Sequence, residues 1–123
     1  MEIERIKEFL EKQDFFDIPE RKATFLEGVL TRFLLDIQYA QRESTPFEAK
    51  LHGLKLDERR VKKLLPEIVG KLREYRSGYP QLEELISKNL IETDQEWKLS
   101  EDETSYCFTL GLNLGRAFKK GRE

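Results

Sequence analysis

The amino-acid sequence predicts an all-α fold: a single-domain helical bundle of about five to six helices over residues 1–123. Apolar residues recur at steps of three and four through most of the chain, which places them on one side of a 3.6-residue helix. Prolines, glycines and capping residues punctuate those runs where helices start and stop. At 123 residues and 38% hydrophobic content, the chain can build one core of ordinary size.

Ile3, Ile6, Phe9 and Leu10 mark a short amphipathic first helix, and Asp14 to Pro19 breaks its pattern. Pro19 suits the first turn of the next helix. That second helix runs from about residue 20 to about 42 on Phe25, Leu26, Val29, Leu30, Phe33, Leu34 and Ile37. Most of its circumference is apolar, so it should be the central helix. Ser44-Thr45-Pro46 then reads as a stop and a start, opening a short helix that Gly53 closes.

Asp57 is a good N-cap for a helix through Val61, Leu64, Leu65, Ile68 and Leu72 to about Tyr75. Pro66 lies inside it and is expected to kink it or split it in two. After the turn Gly78-Tyr79-Pro80, residues Leu82, Leu85, Ile86 and Leu90 mark a further helix. Between Glu92 and Leu99 there is no helical period, and the alternation around Trp97 and Leu99 suggests a small two-strand element. Ser100 with Glu103 forms a capping box that opens a last helix carrying Tyr106, Cys107, Leu110, Leu114 and Phe118. Gly111 and Gly115, four apart in it, allow another helix to approach closely.

Composition argues against catalysis. One histidine, His52, leaves no second imidazole for a metal site or dyad, and it reads as a capping or surface residue. The single cysteine, Cys107, has no partner at ligand spacing and reads as a small core residue. The carboxylates sit among charges on faces expected to be solvated, Glu83-Glu84 and Glu101-Asp102-Glu103 included. No Gly-rich loop follows a strand. The chain is therefore expected to be no enzyme and to need no metal or cofactor. With no apolar run of about 20 residues and a charged N-terminus, it is expected to be cytoplasmic, without a signal peptide.

Charge is unevenly spread. Residues 50–76 hold nine Lys/Arg against four Asp/Glu, although the whole chain carries −2. Residues 77–105 are the reverse, with two against eight. On a helical phase, Leu54, Val61, Leu65, Ile68 and Leu72 fall within about 40–60° of one another, and Lys55, Arg59, Lys62, Lys63 and Arg73 lie roughly opposite. Only Glu58, Glu67 and Glu74 are near enough to pair with that row. Arg116, Lys119, Lys120 and Arg122 form a second basic cluster at the chain end. Cations at such spacing suit phosphate contacts that carry no sequence information. Aromatic interleaving is weak, since Tyr75 and Tyr79 read as packing or turn residues, so backbone binding is favoured over base reading.

Several segments resemble the C-terminal region of the type I-B CRISPR-associated large subunit. They are Phe25-Leu26-Glu27-Gly28-Val29-Leu30 with Ile37-Gln38-Tyr39, Ser44-Thr45-Pro46-Phe47, Leu51 to Leu56, and Leu64-Leu65-Pro66-Glu67 leading to Lys71-Leu72-Arg73-Glu74-Tyr75. Leu82 to Ser87 and Phe108 to Gly115 continue the resemblance, which runs from about Ala23 to about Lys120. In that family the region is also made as a separate small subunit, which a free chain beginning at Met1 resembles. The resemblance implies a non-catalytic helical bundle, several copies of which line the Cascade interference complex. Its implied partners are the backbone and large subunits, further copies of itself, the guide RNA and the target DNA. Its implied task is to hold the guide–target heteroduplex and the displaced strand, where extra backbone contacts tip a nearly balanced exchange.

Two other readings follow from the residues. The basic row and the acidic block 83–103 could pair between copies, making the chain a protein–protein interaction module with no nucleic-acid contact. A helix-turn-helix regulator would place residues 57–76 in a major groove, but Pro66 inside the recognition helix argues against it.

Overall fold

The computed structural model describes residues 3–40, 51, 55–93 and 96–119. The start at Ser44-Thr45-Pro46, the short helix closed by Gly53, and His52, Leu54, Lys120 and Arg122 lie outside the described residues. Among the described residues the fold is all-α, with five α-helices and no strand. They are α1 (Ile3–Glu11), α2 (Pro19–Ala40), α3 (Glu58–Glu74), α4 (Pro80–Glu92) and α5 (Glu101–Lys119), with a 3-10 turn at Asp14–Phe16.

Helix α2 is the axis of the bundle, as its apolar circumference predicts. Phe25, Leu26, Val29, Leu30, Phe33 and Leu34 on it are fully buried, and α3, α4 and α5 all pack against it. Its closest neighbour is α5. A Cβ on Gly111 would collide with the Phe25 carbonyl oxygen, and one on Gly28 with the Phe108 carbonyl oxygen. Gly115 is pressed against the Arg32 side chain, 2.9 Å from where a Cβ would sit. The two helix backbones thus touch through glycines, the approach expected from Gly111 and Gly115, with Gly28 as the matching surface on α2.

Polar ties complete this crossing. The Arg32 Nε donates to the Leu112 carbonyl at 2.9 Å, and the Arg116 guanidinium grips both oxygens of Asp36 at 2.8–3.2 Å. Phe9, Phe16, Phe25 and Phe118 also cluster, with ring centroids 4.7–6.3 Å apart, joining α1, the 3-10 turn, α2 and α5.

One local expectation is narrowed and one corrected. Of the kink or split expected at Pro66, the split does not occur, since α3 continues through it as one helix. Pro66 is exposed, so the helical donor it removes is lost on a side that water reaches. The segment 96–100 forms no strand. Two of its main-chain donors are met by side chains instead: Lys98 N–H donates to Glu20 Oε2 at 2.8 Å and Ser100 N–H to Glu103 Oε1 at 2.9 Å, while Leu99 is buried.

Candidate nucleic-acid interface

The phase of α3 is set at its first turn. The Asp57 side chain accepts the Arg60 backbone N–H at 2.9 Å, capping the helix. Val61, Leu64, Ile68 and Leu72 then point inward and are buried. Leu64, not Leu65, takes the inward position, and Leu65 packs half-buried at the edge of the core. The opposite side carries Arg59, Arg60, Lys63 and Arg73, all exposed, and Lys55 is exposed in the lead-in. No ion pair with another described residue engages Arg59, Arg60, Lys63 or Arg73.

The other cations of the sequence pattern are placed differently. Lys62 is half-buried and its ammonium lies 2.8 Å from Glu58 Oε2, one turn earlier. Arg116 sits on α5, committed to Asp36, and that bond raises its pKa further. Lys119 ends α5. The structure therefore unites Arg59, Lys63 and Arg73 on one open helix face and leaves Arg116 in the α2–α5 clamp. Glu74 is the exposed acid of α3 beyond its first turn, near Arg73.

Tyr75 and Tyr79 are half-buried against the core, with the Tyr79 ring 4.7 Å from Phe33. The exposed large hydrophobic residues among those described are Phe15, Tyr39, Ile91 and Tyr106, none of them on α3. The face is cationic without aromatic platforms. By contrast, the open groove of about 650 Å³ between α1 and α4 mixes Lys7 and Lys88 with Glu4, Glu84 and Glu92, so its charges offset one another.

The family model for the CRISPR-associated protein TM1802 (cas_TM1802) C-terminal domain matches residues 1–123. The chain belongs to this family. Comparison with curated proteins and with solved structures yields no match. Guanidinium forks and ammonium groups neutralise phosphates without reading bases. From Arg59 to Arg73 the row is about 21 Å long at 1.5 Å per residue.

Cys107 is buried, and burial pushes its thiol up to about 11, so the sulfur stays protonated in the core of this CRISPR-associated fold. Among the described residues no three His, Cys, Asp or Glu side chains are placed to hold a metal ion, and no helix is long and apolar enough to cross a membrane. Two cations escaped the helical phasing. Arg60 flanks the row, which the Asp57 cap would have indicated. Arg76 follows the helix end at φ 56, a backbone state that sequence spacing does not reveal.

Proposed function

We propose that this chain serves as a non-catalytic small subunit of a type I-B CRISPR interference (Cascade) complex. In this reading several copies assemble along the backbone subunits. The α3 face of Arg59, Lys63 and Arg73 makes sequence-independent contacts that stabilise the guide RNA–target DNA heteroduplex and the displaced strand. The observation that carries the reading is the open, cationic face of α3 in a chain of a CRISPR-associated family. R-loop formation exchanges duplexes of similar stability, so a few added backbone contacts shift it.

The test is charge reversal. In Arg59→Glu/Lys63→Glu/Arg73→Glu, the fold should persist by circular dichroism, because all three side chains are exposed. R-loop formation by the reconstituted complex should fall by about tenfold or more. Normal R-loop formation in that variant would remove the α3 face from consideration.

A second reading, a protein–protein interaction module without nucleic-acid contact, is favoured by one further feature. Exposed Phe15 and Tyr106 meet edge to face at 5.9 Å, and the Arg21 guanidinium lies 4.7 Å over the Phe15 ring. Aromatic and arginine side chains are enriched at protein interfaces. A purified chain that self-associates yet shows no affinity for nucleic acid at low salt would favour this reading over the first.

A further inference from the structure

The outward line of α3 is Arg59, Lys63, Pro66, Gly70 and Arg73, spaced four, three, four and three, and every member is exposed. Such spacing keeps residues on one helix face. The line is therefore not a continuous row of cations. Two residues without a projecting polar chain stand in the gap between Lys63 and Arg73.

Gly70 is the informative one. Glycine is among the poorest residues for a helix interior, and it needs a reason to be there. Gly28, Gly111 and Gly115 have one, because each abuts a neighbouring helix. A Cβ on Gly70 would meet nothing within 4 Å. Nothing inside the chain among the described residues calls for a bare backbone at this point. Two residues past the helix end, Arg76 adopts φ 56, a position where glycine is usual. Its N–H bonds the Arg73 carbonyl and the Ser77 N–H bonds the Leu72 carbonyl.

We propose that Gly70 is a close-approach position, where a phosphodiester backbone lies directly against the α3 main chain between cationic contacts at Arg59 and Lys63 on one side and Arg73 on the other. This inference rests on the reading of the α3 face as a nucleic-acid surface. A bare helix backbone lets a ligand chain come nearer than any side chain would allow. From Lys63 to Arg73 the helix rises about 15 Å, a length that spans more than one phosphate of a single strand. A protein partner fits less well, because this face presents no large exposed hydrophobic residue to build a dry interface core.

The test uses the 123-residue chain and a fluorescein-labelled 20-nucleotide oligothymidine, with an RNA–DNA hybrid of the same length in parallel. Gly70→Ala should raise the Tm by a few degrees, since the site is helical and open. It should nevertheless weaken binding by about three- to tenfold, and Gly70→Gln, which stands a longer chain on the face, by more. Arg59→Glu/Lys63→Glu is the companion variant. If both Gly70 variants bind like wild type while the charge-reversed one loses affinity, the close approach is wrong and the basic face stands. Should the charge-reversed variant also bind like wild type, or the wild-type chain bind neither probe, the face reading fails and the Gly70 assignment fails with it.

Discussion

Glu27 lies near the middle of the central helix, fully buried, and neither carboxylate oxygen has a hydrogen-bond partner. Carboxylates read from the sequence as solvated surface therefore include at least two in the interior, Glu20 and Glu27. Glu20 is compensated by the Lys98 N–H, whereas Glu27 is not. Desolvation raises the Glu27 pKa well above the usual carboxylate range. The sign of its effect on stability follows. The unfolded chain releases this proton near pH 4.3, whereas the folded chain holds it to higher pH. The native state is thus progressively disfavoured as pH rises above about 4.3, until the buried group itself ionises. Glu27→Gln should therefore gain stability relative to wild type as pH is raised from 4 to 8. Glu27→Leu, which removes the unsatisfied polar atoms, should be more stable than wild type by about 1–3 kcal/mol at neutral pH. Thermal unfolding of the three proteins across that range checks both. A constant offset between wild type and Glu27→Gln would mean that Glu27 titrates normally.

At the scale of elements, helix ends were legible and helix faces only in part. Short-range chemistry decides an end. Ser100 and Glu103 exchange hydrogen bonds at 2.9 and 3.1 Å, as the S-x-x-E spacing implies, and those bonds lower the Glu103 pKa. Pro80 starts α4, and Asp57 caps α3. Faces depend on what packs opposite. Gly28 is not legible from sequence as a contact residue, because its partners on α5 are 80 or more positions away. The two kinds of helical glycine give substitutions of opposite sign. Gly111→Ala should cost about 1–3 kcal/mol or more, since the new methyl meets the Phe25 carbonyl oxygen and backbone cannot easily move. Gly70→Ala should gain up to about 1 kcal/mol, because its site is open. Chemical denaturation of both proteins checks this, and equal effects would refute the α2–α5 crossing described above.

Over the whole molecule, charge is segregated rather than large. A net charge of −2 keeps the chain weakly acidic, while α3 turns its cations outward and the N-terminus of α5 presents Glu101, Asp102 and Glu103. A surface of this kind should bind nucleic acid weakly, independently of sequence and with marked salt dependence. For a single strand, each phosphate neutralised contributes about −0.7 to the slope of log K against log salt. Contacts from Arg59, Lys63 and Arg73 should thus give a slope near −2, and neutralising any one of them should reduce its magnitude by about 0.7. Titrations at several salt concentrations with two unrelated oligonucleotides check both statements. A strong preference for one sequence would contradict backbone binding. Repeated copies in an assembly would turn such weak sites into firm attachment through effective concentration.

The sequence by itself determined the helical class, the central place of α2, the capped starts of α3 and α5, and the existence of a basic helix. Each rests on periodicity or on contacts within one or two turns, which neighbouring residues specify. Only the tertiary structure decided which cations remain open. Lys62 and Arg116 look equivalent to Arg59 in the sequence, yet one meets Glu58 and the other is drawn onto Asp36 across the α2–α5 crossing. Only packing, likewise, could bury Glu27 without a partner, replace the expected strand pair with a loop held by Glu20, and show that Gly70 faces open space while Gly111 faces a backbone. Electrostatic and steric environments are properties of what lies opposite, and in a bundle that is set by residues distant along the chain.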